Sequence, residues 1–145
     1  MGLAPIADIQ RQNQLIGTCY TVSKVMDDEA VRSFALLSGD SNPIHLDEAY
    51  AFESRYKKRI AHGLLSASLF SSIFGAQFPG PGCVYAEQTL VFKRPVYLGD
   101  EVVAIAELTA IDSSGQSLEF YTYCQVRGRR VLEGNAVVFI PKQRQ

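Results

Sequence analysis

Residues 62–78 form the feature of this chain that most restricts its fold, because the segment carries no acidic or basic side chain other than His62. Its apolar residues leave no wide polar face: Leu64, Leu65, Ala67, Leu69, Phe70, Ile73, Phe74 and Ala76. A helix that is apolar nearly all round belongs in a protein interior. At about 1.5 Å per residue such a helix is about 25 Å long, enough to cross a small sheet. The following sequence PGPG predicts an abrupt end.

Alternating patterns surround this segment and predict strands at residues 16–25, 84–93, 101–111, 117–126 and 130–140. Residues 113–115 and 127–129 have the composition of hairpin turns. Asp27 and Asp28 favour the start of a helix that Gly39 ends, and a short helix is predicted after Asp47. The predicted class is α+β, with a curved antiparallel sheet wrapped around the long central helix. This is the hotdog arrangement.

Length and charge limit the possible roles of the chain. Its 145 residues predict one domain over 1–145, with an ordered core at about 15–140. The 14 basic and 15 acidic residues nearly cancel, which argues against binding to nucleic acid or to an anionic membrane. No secretory signal or membrane span is evident, so we expect a cytoplasmic protein. Cys19, Cys83 and Cys124 lack the spacing of a disulfide framework or a structural zinc site.

The segment GDSNPIHL places Asp40 and His45 five positions apart, and Pro43 prevents one continuous helix between them. A carboxylate and an imidazole held close together can share one water, one group taking a proton while the other delivers one. The pair therefore suggests addition or removal of water. The spacing alone also fits an aspartate that caps the next helix and a histidine that bonds to backbone.

Several motifs in the same order resemble the MaoC-type (R)-specific enoyl-CoA hydratases. They are FALLSGDSNPIHLD at 34–47, AHGL at 61–64, SLFS at 68–71, PGPG at 79–82 and FKRPVYLGD at 92–100. The resemblance extends over about residues 15–140. It implies a hotdog homodimer that interconverts trans-2-enoyl and (R)-3-hydroxyacyl thioesters of CoA or acyl carrier protein. It implies no separate cofactor, since CoA is part of the substrate.

The resemblance also assigns residue roles. Asp40 and His45 match the catalytic pair, and Gly63 matches the glycine whose N–H faces the thioester carbonyl. Asn42 is expected to orient the loop, and Ser71 matches a serine near the active site, although a plain helix-surface serine is equally compatible. We interpret His62 as a structural residue that bonds a loop carbonyl. A metal site is not expected, because the two histidines lack ligand-type spacing.

Two groups of residues are candidate substrate contacts. Ala67, Phe74, Val137 and Val138 are predicted to form the floor of an acyl tunnel, with plain core packing as the alternative. Basic side chains are predicted to meet the phosphates of the carrier arm, with a solvated surface as the alternative: Arg55, Lys57, Lys58, Arg59, Lys93 and Arg94. A hotdog thioesterase and a non-catalytic module that binds acyl thioesters are the competing functions. Acyl chain length, the preferred carrier and the physiological direction are left open.

Overall fold

A computed structural model describes residues 3–143, so residues 1, 2, 144 and 145 of the predicted domain lie outside the described part. The helices are α1 (Ile9–Leu15), α2 (Asp28–Ser38), α3 (Pro43–Leu46), α4 (Glu48–Glu53), α5 (Gly63–Ala67) and α6 (Leu69–Ser72), and a π-helical turn follows at Ile73–Gln77. The strands are β1 (Cys19–Val25), β2 (Val84–Gln88), β3 (Val91–Phe92), β4 (Glu101–Ile111), β5 (Ser117–Val126) and β6 (Arg129–Phe139). No helix of residues 3–143 is long and apolar enough to cross a membrane.

The six strands form one antiparallel sheet in the order β1-β4-β5-β6-β2, with β3 paired beside β2 on β6. The alternation of β5 shows why the sheet has one interior face, since every second residue from Leu118 to Val126 is buried. The predicted bounds of β4 and β5 are confirmed. The predicted strand 84–93 is divided into β2 and β3. The chain leaves the ladder at Thr89, whose carbonyl lies so close to Gly134 that a Cβ there would come within 1.7 Å of it.

The central segment 62–78 packs in the core as predicted, with Phe70 and Ile73 fully buried against residues of β4, β5 and β6. The predicted central helix is confirmed, because the backbone stays helical through Ser68 and Ser72, although the helix is irregular and ends in a π-helical turn. Two serine hydroxyls donate to carbonyls three residues back, Ser68 to Leu65 and Ser72 to Leu69. Serine side chains that bond to the helix backbone in this way compete with the regular α-helical pattern. The fold class remains the predicted α+β hotdog.

Helix α2, which precedes the segment GDSNPIHL, has the predicted ends. The carboxylate of Asp27 accepts a hydrogen bond from the N–H of Ala30 and caps α2. Gly39 ends α2 in the left-handed conformation with φ of 81°, which glycine adopts without strain. These two ends fix the point at which the chain enters the segment that contains Asp40.

Candidate active site

The backbone around Asp40 is held by local hydrogen bonds. Its N–H donates to the Ser38 hydroxyl, and its own Oδ1 accepts from the N–H of Asn42 at 3.2 Å. Asn42 in turn caps α3 by accepting from the N–H of Ile44. Asn42 thus has the loop-orienting contacts that were predicted for it. The carboxylate of Asp40 stays exposed, so it is available to a ligand.

His45 lies on α3 with its ring buried and its tautomer set by one contact. Nδ1 lies 2.7 Å from the carbonyl of Ile60, so it carries the hydrogen, and Nε2 keeps a lone pair. Burial is the main cause that lowers the pKa of His45 below its usual value, and the neighbouring His62 lowers it further, while the Ile60 contact and Asp40 oppose the shift. The imidazole is therefore neutral near pH 7 and can accept a proton.

His62 connects the two members of the pair. Its ring stacks on that of His45 with centroids 3.8 Å apart, and its Nε2 donates to the backbone carbonyl of Asp40 at 3.0 Å. Phe34 packs against the imidazole as well, with centroids 4.8 Å apart. The predicted bond from His62 to a loop carbonyl is thus present, while its stacking on His45 had no signal in the sequence. His62 therefore holds the ring of His45 by stacking and the backbone of Asp40 by a hydrogen bond.

Side-chain ligand atoms of Asp40, His45 and His62 all lie within 4.8 Å of one another. An oxygen that makes hydrogen bonds of about 2.8 Å can bridge polar atoms at such a separation. The carboxylate of Asp40 and the imidazole of His45 are therefore close enough for one water to lie between them. This geometry is the one required for paired proton transfer on a single water.

A cavity of about 460 Å³ opens beside this cluster. Its wall contains Asp40, His45 and Gly63 together with apolar side chains and three basic residues at Arg55, Lys93 and Arg94. Gly63 is the first residue of α5, and a Cβ on it would lie 2.5 Å from the ring of Phe92. Only glycine lets its backbone N–H and the Phe92 ring share this wall. No sequence pattern linked Phe92 to the site, because the two positions are far apart in the chain.

Arg59 does not fit the predicted role of binding a phosphate of the carrier arm. Its side chain is buried, and Nε donates to the carbonyl of His45 at 2.6 Å. The two remaining nitrogens pair with Asp28 at 2.7 Å and Glu48 at 3.3 Å. A guanidinium committed to three protein groups does not face a substrate. The sequence was misleading because Arg59 ends a basic run that otherwise lies on the surface.

The predicted acyl floor is not in this cavity. Phe74 and Val138 are core residues, and Phe74 packs on Phe120 with ring centroids 4.7 Å apart. Val137 is half-buried on β6, and Ala67 lines a separate groove beside β2. These apolar side chains fitted a tunnel floor and a core equally well in the sequence, and the structure places them outside the wall of the described cavity.

The remaining predicted substrate-contact residues differ in whether they lie on the cavity wall. Ser71 is exposed on α6 and is absent from the cavity wall. Lys57 and Lys58 are exposed beyond that wall. Lys93 pairs with Glu133 at 2.9 Å, and Arg94 donates to the carbonyl of Arg130. Arg55 also belongs to the cavity wall. Its guanidinium carbon lies 5.3 Å from the centroid of the Tyr56 ring.

A family model, that of the MaoC-like domain, matches residues 11–127. The chain belongs to the MaoC-like domain family. It is 41% identical over 125 residues to an (R)-specific enoyl-CoA hydratase of Rhodospirillum rubrum, covering 86% of this chain and 87% of the relative. It is 42% identical over 132 residues to an (R)-specific enoyl-CoA hydratase of Aeromonas caviae, covering 90% of this chain and 98% of that relative.

A solved structure supports the same relationship. The (R)-hydratase from A. caviae, described as involved in PHA biosynthesis, matches with a TM-score of 0.84 at 41% identity. The match covers 87% of this MaoC-like chain and 96% of that structure. The family and the hotdog fold predicted from the sequence are confirmed, and the predicted hydro-lyase activity agrees with the names of these relatives.

Proposed function

We propose that this MaoC-like protein is an (R)-specific enoyl-CoA hydratase that adds water reversibly to trans-2-enoyl thioesters. The observation that carries the proposal is the cluster of Asp40 and a neutral His45 at the wall of the cavity that also contains Gly63. The names of its close relatives support the same reaction and its R configuration. No separate cofactor is required, since CoA enters as part of the substrate.

The proposed hydration uses Nε2 of His45 and the carboxylate of Asp40. Water attacks the β-carbon of the enoyl thioester as Nε2 of His45 takes one of its protons, and the carboxylate of Asp40 accepts a hydrogen bond from the same water. The new C–O bond pushes the alkene electrons toward the α-carbon and the thioester carbonyl. The pair then returns one proton to the α-carbon on the face from which water arrived. One water is consumed, and the pair regains its initial protonation.

Gly63 is proposed to stabilise the charge that develops on the thioester oxygen. Its N–H is one of the groups at the start of α5 that have no partner within the helix. A preorganised backbone donor of this kind is typically worth about 3 kcal/mol in the transition state. Because the Phe92 ring occupies the space of a Cβ at Gly63, the ring also lies beside the position proposed for the carbonyl.

The first experiment follows the absorbance of crotonyl-CoA together with release of free thiol. We expect the conjugated thioester to disappear without thiol release and to give the (R)-alcohol. Asp40→Asn should lower the rate at least about a hundredfold, because asparagine cannot carry the negative charge that orients the water. Asp47→Asn is the matched control, since Asp47 only caps α4 and asparagine caps equally well.

The outcomes of this experiment separate the alternatives. Thiol release that depends on Asp40 would identify a hotdog thioesterase and overturn the hydratase. If neither signal appeared with short and long enoyl chains on CoA or on acyl carrier protein, a binding module would replace the enzyme.

His62 is proposed to position the catalytic pair without contacting substrate. We expect His62→Phe to keep a stacked ring but to lose the bond to the Asp40 carbonyl, and so to lower kcat about ten- to a hundredfold with little change in KM. The other charged groups near His45 are Asp40, which raises its pKa, and Arg59, which lowers it. Both remain in the variant.

The pH profile distinguishes this role from a purely structural one. His45 works as a base, so activity falls as the pH drops through its pKa, which lies below 6.5. His62 lowers the pKa of His45, so the acidic limb of the His62→Phe variant should lie at higher pH than that of the wild type. A variant with wild-type kcat and an unchanged limb would contradict the positioning role.

Arg55 is the residue proposed to meet a phosphate of the carrier arm, because it is exposed at the cavity wall and lacks an acidic partner among residues 3–143. Arg55→Gln should raise KM for crotonyl-CoA about fivefold and leave kcat unchanged. The KM for crotonyl-pantetheine, which lacks phosphate, should not change. Arg11→Gln provides a control for loss of a distant exposed charge. Equal effects of Arg55→Gln on both thioesters would refute the phosphate contact.

We further propose a homodimer formed along β2. This strand ends the main path of the sheet, and Val84 and Tyr85 on it are 49% and 37% exposed. An apolar edge strand is a ready surface for pairing with a second copy. Sedimentation equilibrium should give twice the chain mass of 16.0 kDa, and Val84→Glu should shift the mass toward the monomer. Leu36→Glu, at an 88% exposed position on α2, should leave the mass unchanged. A monomeric wild type would refute the dimer.

A further inference from the structure

The hydroxyl of Ser66 is a buried polar group with no protein partner. Ser66 lies on α5, is fully buried, and its Oγ makes no hydrogen bond to any residue of 3–143. A buried hydroxyl without a partner destabilises the folded state, so the group calls for an explanation.

Neighbouring serines show that a simpler arrangement is available on this segment. Ser68 and Ser72 each satisfy their hydroxyls by donating to a carbonyl three residues back, at 2.5 Å and 2.9 Å. Ser66 does not use its own backbone in this way. Its hydroxyl remains free for a group from outside the chain.

The position of Ser66 indicates where that group would come from. Ser66 belongs to the wall of the cavity that contains Asp40, His45 and Gly63. Residues three apart lie on the same side of a helix, so Ser66 follows Gly63 by about 4.5 Å along the axis of α5. The cavity wall also contains apolar side chains, among them Ala61, Val96, Val131 and Leu132. The wall is thus partly apolar, and a polar side chain without a protein partner at such a wall can select for a matching atom on the ligand.

We propose that Ser66 is a specificity residue that binds a neutral hydroxyl or keto oxygen on the acyl chain, beyond the reacting carbons. The ligand group is neutral because a serine hydroxyl donates or accepts one hydrogen bond but cannot balance a charge. Arg59, the one buried arginine among the described residues, is already committed to three protein groups. The inference rests on the proposed hydratase function and adds to it a preference for oxygenated acyl thioesters.

The test compares trans-2-hexenoyl-CoA with its analogues that carry a hydroxyl at C4, C5 or C6. For the best analogue, the ratio of its kcat/KM to that of the plain thioester should fall about tenfold in Ser66→Ala. Ser68→Ala, which removes a satisfied hydroxyl outside this cavity, should leave the ratio unchanged. If Ser66→Ala alters all four thioesters by the same factor, or alters none, the assignment is overturned. A serine that only held a water would give the first of these results.

Two further measurements keep this test independent of turnover. Calorimetric binding of hexanoyl-CoA and its hydroxylated analogues to the wild type and to Ser66→Ala should show the same tenfold change in relative affinity. Absent hydration of crotonyl-CoA would refute the proposed function, and an identical binding preference in the wild type and in Ser66→Ala would refute the role of Ser66. Ser66→Ala should also melt at or above the wild-type temperature, because it removes an unpaired buried group. A lower melting temperature would indicate a structural hydrogen bond and contradict the proposal.

Discussion

The position of His45, the proposed base, depends on the guanidinium of Arg59. Burying a cation costs several kcal/mol unless charge and hydrogen bonds compensate it. Asp28 at the start of α2 and Glu48 at the start of α4 supply the charge, and the carbonyl of His45 accepts the bond from Nε. Because three separate elements meet at one planar group, α2, α3 and α4 cannot move independently. The hydrogen bond from Arg59 is the main cause that lowers the pKa of Asp28 below its usual value, which favours the ionised carboxylate.

Asp40 and His45 are held mainly by atoms that have no part in the proposed chemistry. His45 is fixed through Nδ1 and through the face of its ring, so Nε2 stays free. Asp40 is fixed through its N–H, its carbonyl and Oδ1, while Oδ2 lies 3.9 Å from Nε2 of His62. The stack with His62 has a second effect, because two cationic imidazoles 3.8 Å apart would repel each other. The same contact that orients His45 therefore favours its neutral, basic form.

Local sequence signals predicted the parts of the site that are built locally. Gly39 ends α2 as predicted, since that signal depends on residues only a few positions away, whereas the helix start at Asn42 was not predicted. The burial of Arg59 and the ring of Phe92 over Gly63 depend on residues brought together from distant positions, and composition pointed the wrong way for Arg59. The central helix is irregular where serine hydroxyls bond to its backbone, and the apolar pattern does not reveal these bonds. Ser66 is the same residue type with a different outcome.

The proposed dimer would explain two observations. Residues predicted for the acyl floor lie outside the cavity, and an apolar edge strand of the sheet is exposed. Ala67 lines a groove of about 390 Å³ with Tyr85 of β2, and Leu64 belongs both to this groove and to the cavity of the catalytic pair. In one chain the groove is open to solvent beside the exposed strand. A second copy paired on β2 would cover it and exclude water from the surface next to Leu64. The proposed dimer would therefore enclose the groove that Ala67 lines beside the cavity.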